Sequence, residues 1–428
     1  MAADHDPGAA ERAARAAARC DRLAACSEEP GAITRPYGSR SLREAERLVA
    51  AWMEAAGLSA RRDAVGNLIG HRPGPTPAAP TLCLGSHLDS VRDAGRWDGP
   101  LGVMVAIAVA ERLHAEGRAL PFALDVLAFA DEEGLRFHTA YLGSRAWAGS
   151  LDPALLDRAD AEGTTLAEAV AAFDGDPDVL RHGTEPPANL LGYVEAHIEQ
   201  GPALERLAAP LAVVTAIAGQ TRVALALAGE AGHAGTVAMP LRRDALVGAA
   251  ELVVAVEALA LATPGLVATV GSLAVEPGAS NVVPGRVAAS LDVRHPDDAV
   301  RTRARDELRR TAAAIAERRH LALDWNVVQE NPATPCDPAL TAALAAAVAA
   351  ADLPVHALVS GAGHDAVIAA AVCPVAMLFV RCAGGVSHNP AESVAVADVA
   401  AAIRVMDGFV AMLATSQIPS EDLGHLAT

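Results

Sequence analysis

Apolar positions recur with helical spacing over residues 8–25 and 40–57, then give way to short apolar runs at Arg62 to Gly70, Thr81 to Gly85 and Leu124 to Ala130. Between the last two runs, Gly102 to Leu113 again has the spacing of a helix, its start marked by Asp98-Gly-Pro. Strands alternating with helices predict an α/β domain on a largely parallel or mixed sheet. Beyond Pro210 the rhythm changes: strand 222–227, helix 242–261, strands 266–275 and 286–294, helix 300–319 and strand 322–329. That β-α-β-β-α-β order predicts a small sandwich. Pro332 to Pro338 mark a return, after which helix and strand alternate to the end. The expected organisation is a discontinuous domain, 1–212 plus 332–428, with 213–331 inserted into it.

Composition narrows the chemistry. The 428 residues contain no lysine, so all 34 basic side chains are arginine. An internal Schiff-base lysine and a phosphate-loop lysine are both excluded. A net charge of −18 argues against nucleic-acid or anionic-membrane partners, which need a basic face. An anionic small substrate remains compatible, provided that a local arginine receives it. Six cysteines without CxxC spacing fit reduced, mostly buried thiols. No uninterrupted apolar run approaches the roughly 20 residues of a membrane span. The start, MAADHDPGAAERAARAAARC, lacks the apolar core of a signal peptide, so a cytoplasmic protein is expected.

Candidate chemistry gathers where apolar runs end. His87 and Asp89 follow TLCLGS, Asp131, Glu132 and Glu133 follow LDVLAFA, His197 closes LGYVEAHIEQGP, and His388 lies in GGVSHNPAES after PVAMLFV. The carboxyl ends of strands are the usual place for a site in an open α/β sheet. Two divalent ions about 3.5–4 Å apart need one bridging carboxylate and a separate set of imidazole or carboxylate donors for each ion. Asp98 can bridge, with His87 and His197 completing one set and Glu133 and His388 the other. Asp89, two residues from His87, can take that ring's second N–H and fix its tautomer. Glu132 is the spare carboxylate, suited to move a proton from water to a leaving nitrogen. Singly, each of these residues reads more simply as a turn, a helix start or a surface histidine; it is their joint placement at strand ends that favours a site. The donor set accepts Zn²⁺, Mn²⁺, Co²⁺ or Ni²⁺.

The stretches GSHLDSVRDAGRWDGPLGV, FADEEGLRF with LGSRAWAG, HIEQGPALE, GHAGTVAMPLRRDA, GASNVVPG with LDVRHPDD, SGAGHDA and GGVSHNPAES carry a resemblance that runs in order from Gly85 to Ser393. The chain resembles the metal-dependent amidohydrolases of the M20 peptidase superfamily, in the branch of allantoate amidohydrolases, N-carbamoyl-L-amino-acid hydrolases and β-ureidopropionases. The resemblance implies a mixed-sheet di-metal hydrolase domain with an inserted ferredoxin-like domain that serves as lid and dimerisation surface, hinged near 210–215 and 330–335. It matches His87, Asp98, Glu133, His197 and His388 to metal ligands and Glu132 to the general acid/base. It also matches Gln200, His233, Asn281, Arg294 and His364 to substrate contacts. Arg294 would hold the substrate carboxylate, and His233 with Asn281 would face the tetrahedral oxyanion. Read without the family, Arg294 would be a solvated charge and Asn281 a turn residue. The implied reaction is hydrolysis of a ureido C–N bond in a small anionic substrate, with allantoate favoured by DEEGLRF…YLGSRAWAG and AMLFVRCAGGVSHNP. An N-carbamoyl-L-amino-acid hydrolase or a β-ureidopropionase is the alternative. A non-catalytic binding protein on the same fold is the different-class alternative, although no matched catalytic position is lost.

Overall fold

Four apolar strands, Ala123–Phe129, Thr81–His87, Leu190–Ile198 and Val375–Val380, lie side by side and parallel at the centre of a nine-stranded sheet. Their near-continuous burial explains why they read as unbroken apolar runs: helices cover both faces of such strands. Antiparallel strands flank them. Leu68–Arg72 pairs with Ala123–Phe129, and Leu211–Ile217 pairs with Val375–Val380, so the sheet is mixed. The computed structural model describes residues 7–415; the acidic first six residues, part of the stretch that suggests a cytoplasmic protein, lie outside that range.

The chain divides into two units, Met1–Thr215 with Cys336–Thr428, and Ala216–Pro335. In the first, helix Pro100–Ala115 is buried along most of its length and packs on strands Thr81–His87 and Leu190–Ile198. Helices Pro7–Ala24 and Val396–Thr415 pack in turn on that helix. Gly102 permits the close approach, because a Cβ there would stand 2.2 Å from the Ala196 carbonyl oxygen. Pro100 occupies the first helical position, where its missing N–H is no loss.

The second unit runs in the order β-α-β-β-α-β, interrupted by two short two-residue strands. Its main sheet is antiparallel, with Ala322–Asn331, Gly219–Ala228, Arg286–His295 and Val267–Glu276 in that spatial order. Helices Ala245–Ala262 and Asp298–Arg318 are capped by Asp244 and Asp297, whose carboxylates accept the first free backbone N–H groups. Val223, Leu225, Leu252, Val256, Leu291 and Leu308 form part of the core between helices and sheet.

Two expectations need correction. Arg62 to Gly70 is not one strand but a hairpin, Ser59–Arg62 against Leu68–Arg72. The Asp63 carboxylate accepts the N–H groups of Val65, Gly66 and Asn67, which fixes a tight turn where sequence suggests continuity. Helix Ala245–Ala262, with a mean hydropathy of 2.1, is long and apolar enough to cross a bilayer, although sequence inspection marks no such segment. Glu251 and Glu257 interrupt it; Glu251 pairs with Arg318 and Arg319, and Ala249, Leu252 and Val256 are buried against the rest of the unit.

Arg35 anchors the strand-end loop from inside. Fully buried, its guanidinium donates to the carbonyls of Leu88 (2.5 Å), Leu23 (2.8 Å) and Cys26 (3.0 Å). Its backbone N–H donates to the Ser90 hydroxyl (3.0 Å), so both sides of Asp89 are tied down. Arg35→Met should lower unfolding free energy by about 3 kcal/mol or more, since each buried group left unpaired costs about 1–3 kcal/mol. Urea denaturation measures this; a loss below about 1 kcal/mol would show that Arg35 does not anchor the loop.

Candidate metal centre

His87 is the last residue of its strand and His197 the next-to-last of the neighbouring one. Gly85 pairs with Glu195 in the parallel ladder, so the two histidines project side by side. Their rings stack with centroids 5.8 Å apart. Asp98 reaches them from the turn that enters helix Pro100–Ala115. Glu132 and Glu133 follow strand Ala123–Phe129, and His388 follows strand Val375–Val380 on a loop where it holds a positive φ of 53°.

Asp98 lies between the imidazoles. Its Oδ1 is 3.2 Å from His197 Nε2 and its Oδ2 is 3.2 Å from His388 Nε2. His388 Nε2 also stands 3.4 Å from Glu133 Oε1. Among the described residues four groups of donors have their atoms within 4.8 Å of one another: Glu195/His197/His364, His87/Glu132/Glu133, and the two that Asp98 joins, His87/Asp98/His197 and Asp98/Glu133/His388. Nitrogen and carboxylate donors in this number suit a divalent transition ion.

Neighbouring residues fix these side chains. The Asp89 carboxylate stands 3.3 Å from His87 Nδ1 and accepts the backbone N–H groups of Glu132 (2.9 Å) and Glu133 (3.1 Å). One buried acid thus sets a ring orientation and the position of the Glu-Glu pair. Gln200, expected to contact substrate, donates its amide to both oxygens of Asp98 (3.2 and 3.0 Å). His364 is buried edge-on to His197 with centroids 4.5 Å apart and contacts the Ser360 hydroxyl through Nε2 (2.8 Å).

Three contributors escape sequence reasoning. Glu392 accepts the N–H groups of Trp97 (2.8 Å) and Asp98 (3.2 Å) through one oxygen and the Ser387 hydroxyl (3.1 Å) through the other. It ties the Asp98 turn to the His388 loop. The available signal was an acid four residues after His388. Glu195 is buried in a strand, accepting from Ser86 Oγ (2.8 Å) and Ala366 N (3.3 Å); an acid inside an apolar strand was its signal. Gly99 has φ +83°, and a Cβ there would lie 2.5 Å from the His87 ring. The Asp98-Gly-Pro sequence is therefore more than a turn: each of its residues has a separate steric or chemical task.

Electrostatics follow from burial. Burial alone would push Asp98 up, but contacts with His197 and His388 and the charge of His87 outweigh it and hold the carboxyl well below its usual range. Burial, reinforced by the Glu133 charge, pushes Glu132 well above the carboxylate range. His388 is pushed up to about 10 by its contacts with Asp98 and Glu133. Burial and the charges of His197 and His87 hold His364 well below the ordinary imidazole value, so it is neutral.

The other three expected residues lie in the second unit. His233 pairs with Val282 in a two-residue ladder, and the Asn281 carbonyl accepts the Ala234 N–H (2.9 Å), so His233 and Asn281 are neighbours. Arg294 lies near the end of strand Arg286–His295, its fork turned onto Asp292 at 2.8 and 3.2 Å. It is held in place by a carboxylate of its own strand.

A family model described as peptidase family M20/M25/M40 matches residues 83–412, a span that contains every residue of the centre. The chain belongs to this family. It is 41% identical to an N-carbamoyl-L-amino acid amidohydrolase of Geobacillus stearothermophilus over 90% of this chain and 95% of that protein. It is 40% identical to a probable allantoate deiminase of Oryza sativa subsp. japonica, over 92% and 87% of the two chains. The crystal structure of an amidase of the hydantoinase/carbamoylase family from Burkholderia multivorans superposes with a TM-score of 0.89 at 33% identity, covering 94% of this chain and 98% of that one. The chain is accordingly an enzyme of the M20 hydrolase family with a mixed α/β fold.

Gly99→Ala should drive a methyl group into the His87 ring and lower activity by about 10²-fold, the scale set by a misplacement of about 1 Å, with a parallel loss of bound divalent metal. Gly117→Ala is the control: it also has positive φ (+58°) but nothing within 4 Å of its Cβ. It should cost only backbone strain, about 1–2 kcal/mol. Equal metal content in the two variants would rule out the steric role of Gly99.

Proposed function

We propose that the chain hydrolyses a ureido C–N bond in a small carboxylate, converting allantoate to ureidoglycine with release of ammonia and carbon dioxide. The observation that carries this is Asp98, one carboxylate shared by two donor groups. A pair of divalent ions held by His87, Asp98, His197, Glu133 and His388 supplies carbonyl polarisation and activation of water. Glu132 does the proton work: its raised proton affinity suits a base that accepts a proton at its carboxylate and delivers it to the departing nitrogen. Asp89 keeps Glu132 and Glu133 apart in role by holding both backbone N–H groups.

Arg294 takes the substrate carboxylate in this scheme, since a guanidinium fork pairs with it bidentately. His233 with Asn281 faces the oxyanion. Gln200 and His364 border the substrate beside Asp98 and His197. The second reading is an N-carbamoyl-L-amino acid substrate, favoured by the 41% identity to the Geobacillus stearothermophilus enzyme; it carries the same carboxylate and ureido groups. The same proposal includes a homodimer through the second unit. Supporting it are the exposed Val247, Val254 and Leu261 of helix Ala245–Ala262 and the edge strand Val267–Glu276, whose free ladder is an aggregation hazard unless paired. Light scattering should give twice the chain mass.

Ammonia release from allantoate, N-carbamoyl amino acids, N-carbamoyl-β-alanine and ureidoglycolate, each with Zn²⁺, Mn²⁺, Co²⁺ or Ni²⁺, tests the reaction. Chelation should abolish turnover and a divalent ion should restore it. Undiminished turnover in verified metal-free protein would exclude the mechanism. Glu132→Gln should keep its metal and lose about 10²–10⁴ in kcat, the worth of a positioned base, whereas Glu133→Gln should lose metal. If both variants retain equal metal, the division between the two glutamates fails.

A further inference from the structure

Tyr141, in the YLGSRAW stretch, has no part in the scheme above, yet its placement is unusual. It adopts a left-handed conformation with φ +66°, which few non-glycine residues hold without a local reason. Its backbone N–H donates to the Glu132 carbonyl (2.9 Å), closing the loop between them, so the ring is mounted on the loop that carries the proton-moving acid. Its hydroxyl fills the space a side chain would take at Gly363: a Cβ there would stand 1.8 Å from the phenol oxygen. Gly363 adjoins His364, which packs edge-on to His197. The phenol therefore bridges the gap between the Glu132 loop and the His364 loop. Tyr141 donates its backbone N–H to Glu132, and its hydroxyl makes no such bond to another described residue. Tyr141 is partly buried and its oxygen is not one of the buried polar atoms left without a partner, so the O–H is accessible to a ligand. Burial and the charges of Glu132 and Asp365 push it up, so it stays protonated as a donor.

We infer that Tyr141 is a further catalytic residue, whose hydroxyl donates a hydrogen bond to the ureido oxygen of the substrate. The O–H bond is not broken. The hydrogen bond shortens and strengthens as the oxygen gains negative charge, so its effect falls on kcat more than on KM. The inference rests on the ureido-hydrolase proposal and adds a donor from the unit that holds the metal-ligand side chains.

Tyr141→Phe keeps the ring and its packing and removes only the donor. On whichever substrate the wild type hydrolyses, kcat should fall about 10–10²-fold, somewhat below the loss for a full oxyanion-hole donor, with KM within about threefold and metal content unchanged. Gly363→Ala should show a similar loss, because its methyl displaces the phenol oxygen. In Tyr141→Phe the nearest ring atom would be Cζ, 3.1 Å from that methyl, so the double variant should be no worse than the worse single one. Wild-type kcat in Tyr141→Phe overturns the inference and leaves ureido hydrolysis standing, as do losses that multiply in the double variant. A metal-loaded wild type inactive on every ureido substrate overturns both.

Discussion

Asp98 is 3% exposed, and each of its oxygens faces a different imidazole. A carboxylate can be held so deeply only where opposite charge and hydrogen bonds replace lost hydration. Here the replacements come from both sides: His197 and His388 at the oxygens, the Gln200 amide, the Ser387 hydroxyl (3.0 Å), and Glu392 on the backbone behind. The loop before Asp98 lacks regular structure and is held by hydrogen bonds to residues 33–35 and by the buried Trp97, while this arrangement fixes the carboxylate itself. The helix after it, Pro100–Ala115, starts where it does because this turn delivers the chain to the strand ends.

The frame brings the rest of the centre to Asp98 by parallel pairing. Adjacent parallel strands release their chains at the same edge of the sheet, so residues far apart in sequence leave at one place. His87 and His197 are neighbours because Gly85 is paired with Glu195 in the ladder. A slip of one residue would turn either ring to the opposite face of the sheet. Buried positions on both faces make such a slip costly, and Gly102 and Gly99 then set how closely the next helix and the turn approach these rings.

This explains what the sequence disclosed and what it withheld. Unbroken apolar runs mark the central strands because burial on both faces leaves no polar alternation, and the chemistry stands out because it interrupts apolar runs at their ends. His87, Asp98, Glu133, His197 and His388 could thus be grouped from residue type and position. The hairpin at Asp63 was hidden because its turn is made by a side chain accepting three backbone N–H groups, which no periodicity records. Glu392 and Arg35 were hidden for a similar reason: each acts on backbone groups of distant loops. Gln200 and Arg294 show a further limit, since residue type announced polar contacts but not that their partners in the chain are Asp98 and Asp292.

The buried acids finally account for the character of the whole centre. Asp131, Glu132 and Asp365 are pushed up first by burial and then by other carboxylates nearby, whereas Glu195 is pushed up by burial against the opposing pull of His197 and the Ser86 hydroxyl. Arg35, the fully buried guanidinium beside Asp89, spends its donors on three carbonyls rather than on these acids. In a lysine-free chain that choice has a physical basis: a rigid five-donor fork satisfies several backbone acceptors at once. Carboxylate and imidazole donors, concentrated where four parallel strands end, favour divalent cations. In the proposed scheme the substrate carboxylate meets an arginine of its own, and the reacting group meets donors that carry no negative charge, such as a neutral phenol or an imidazole.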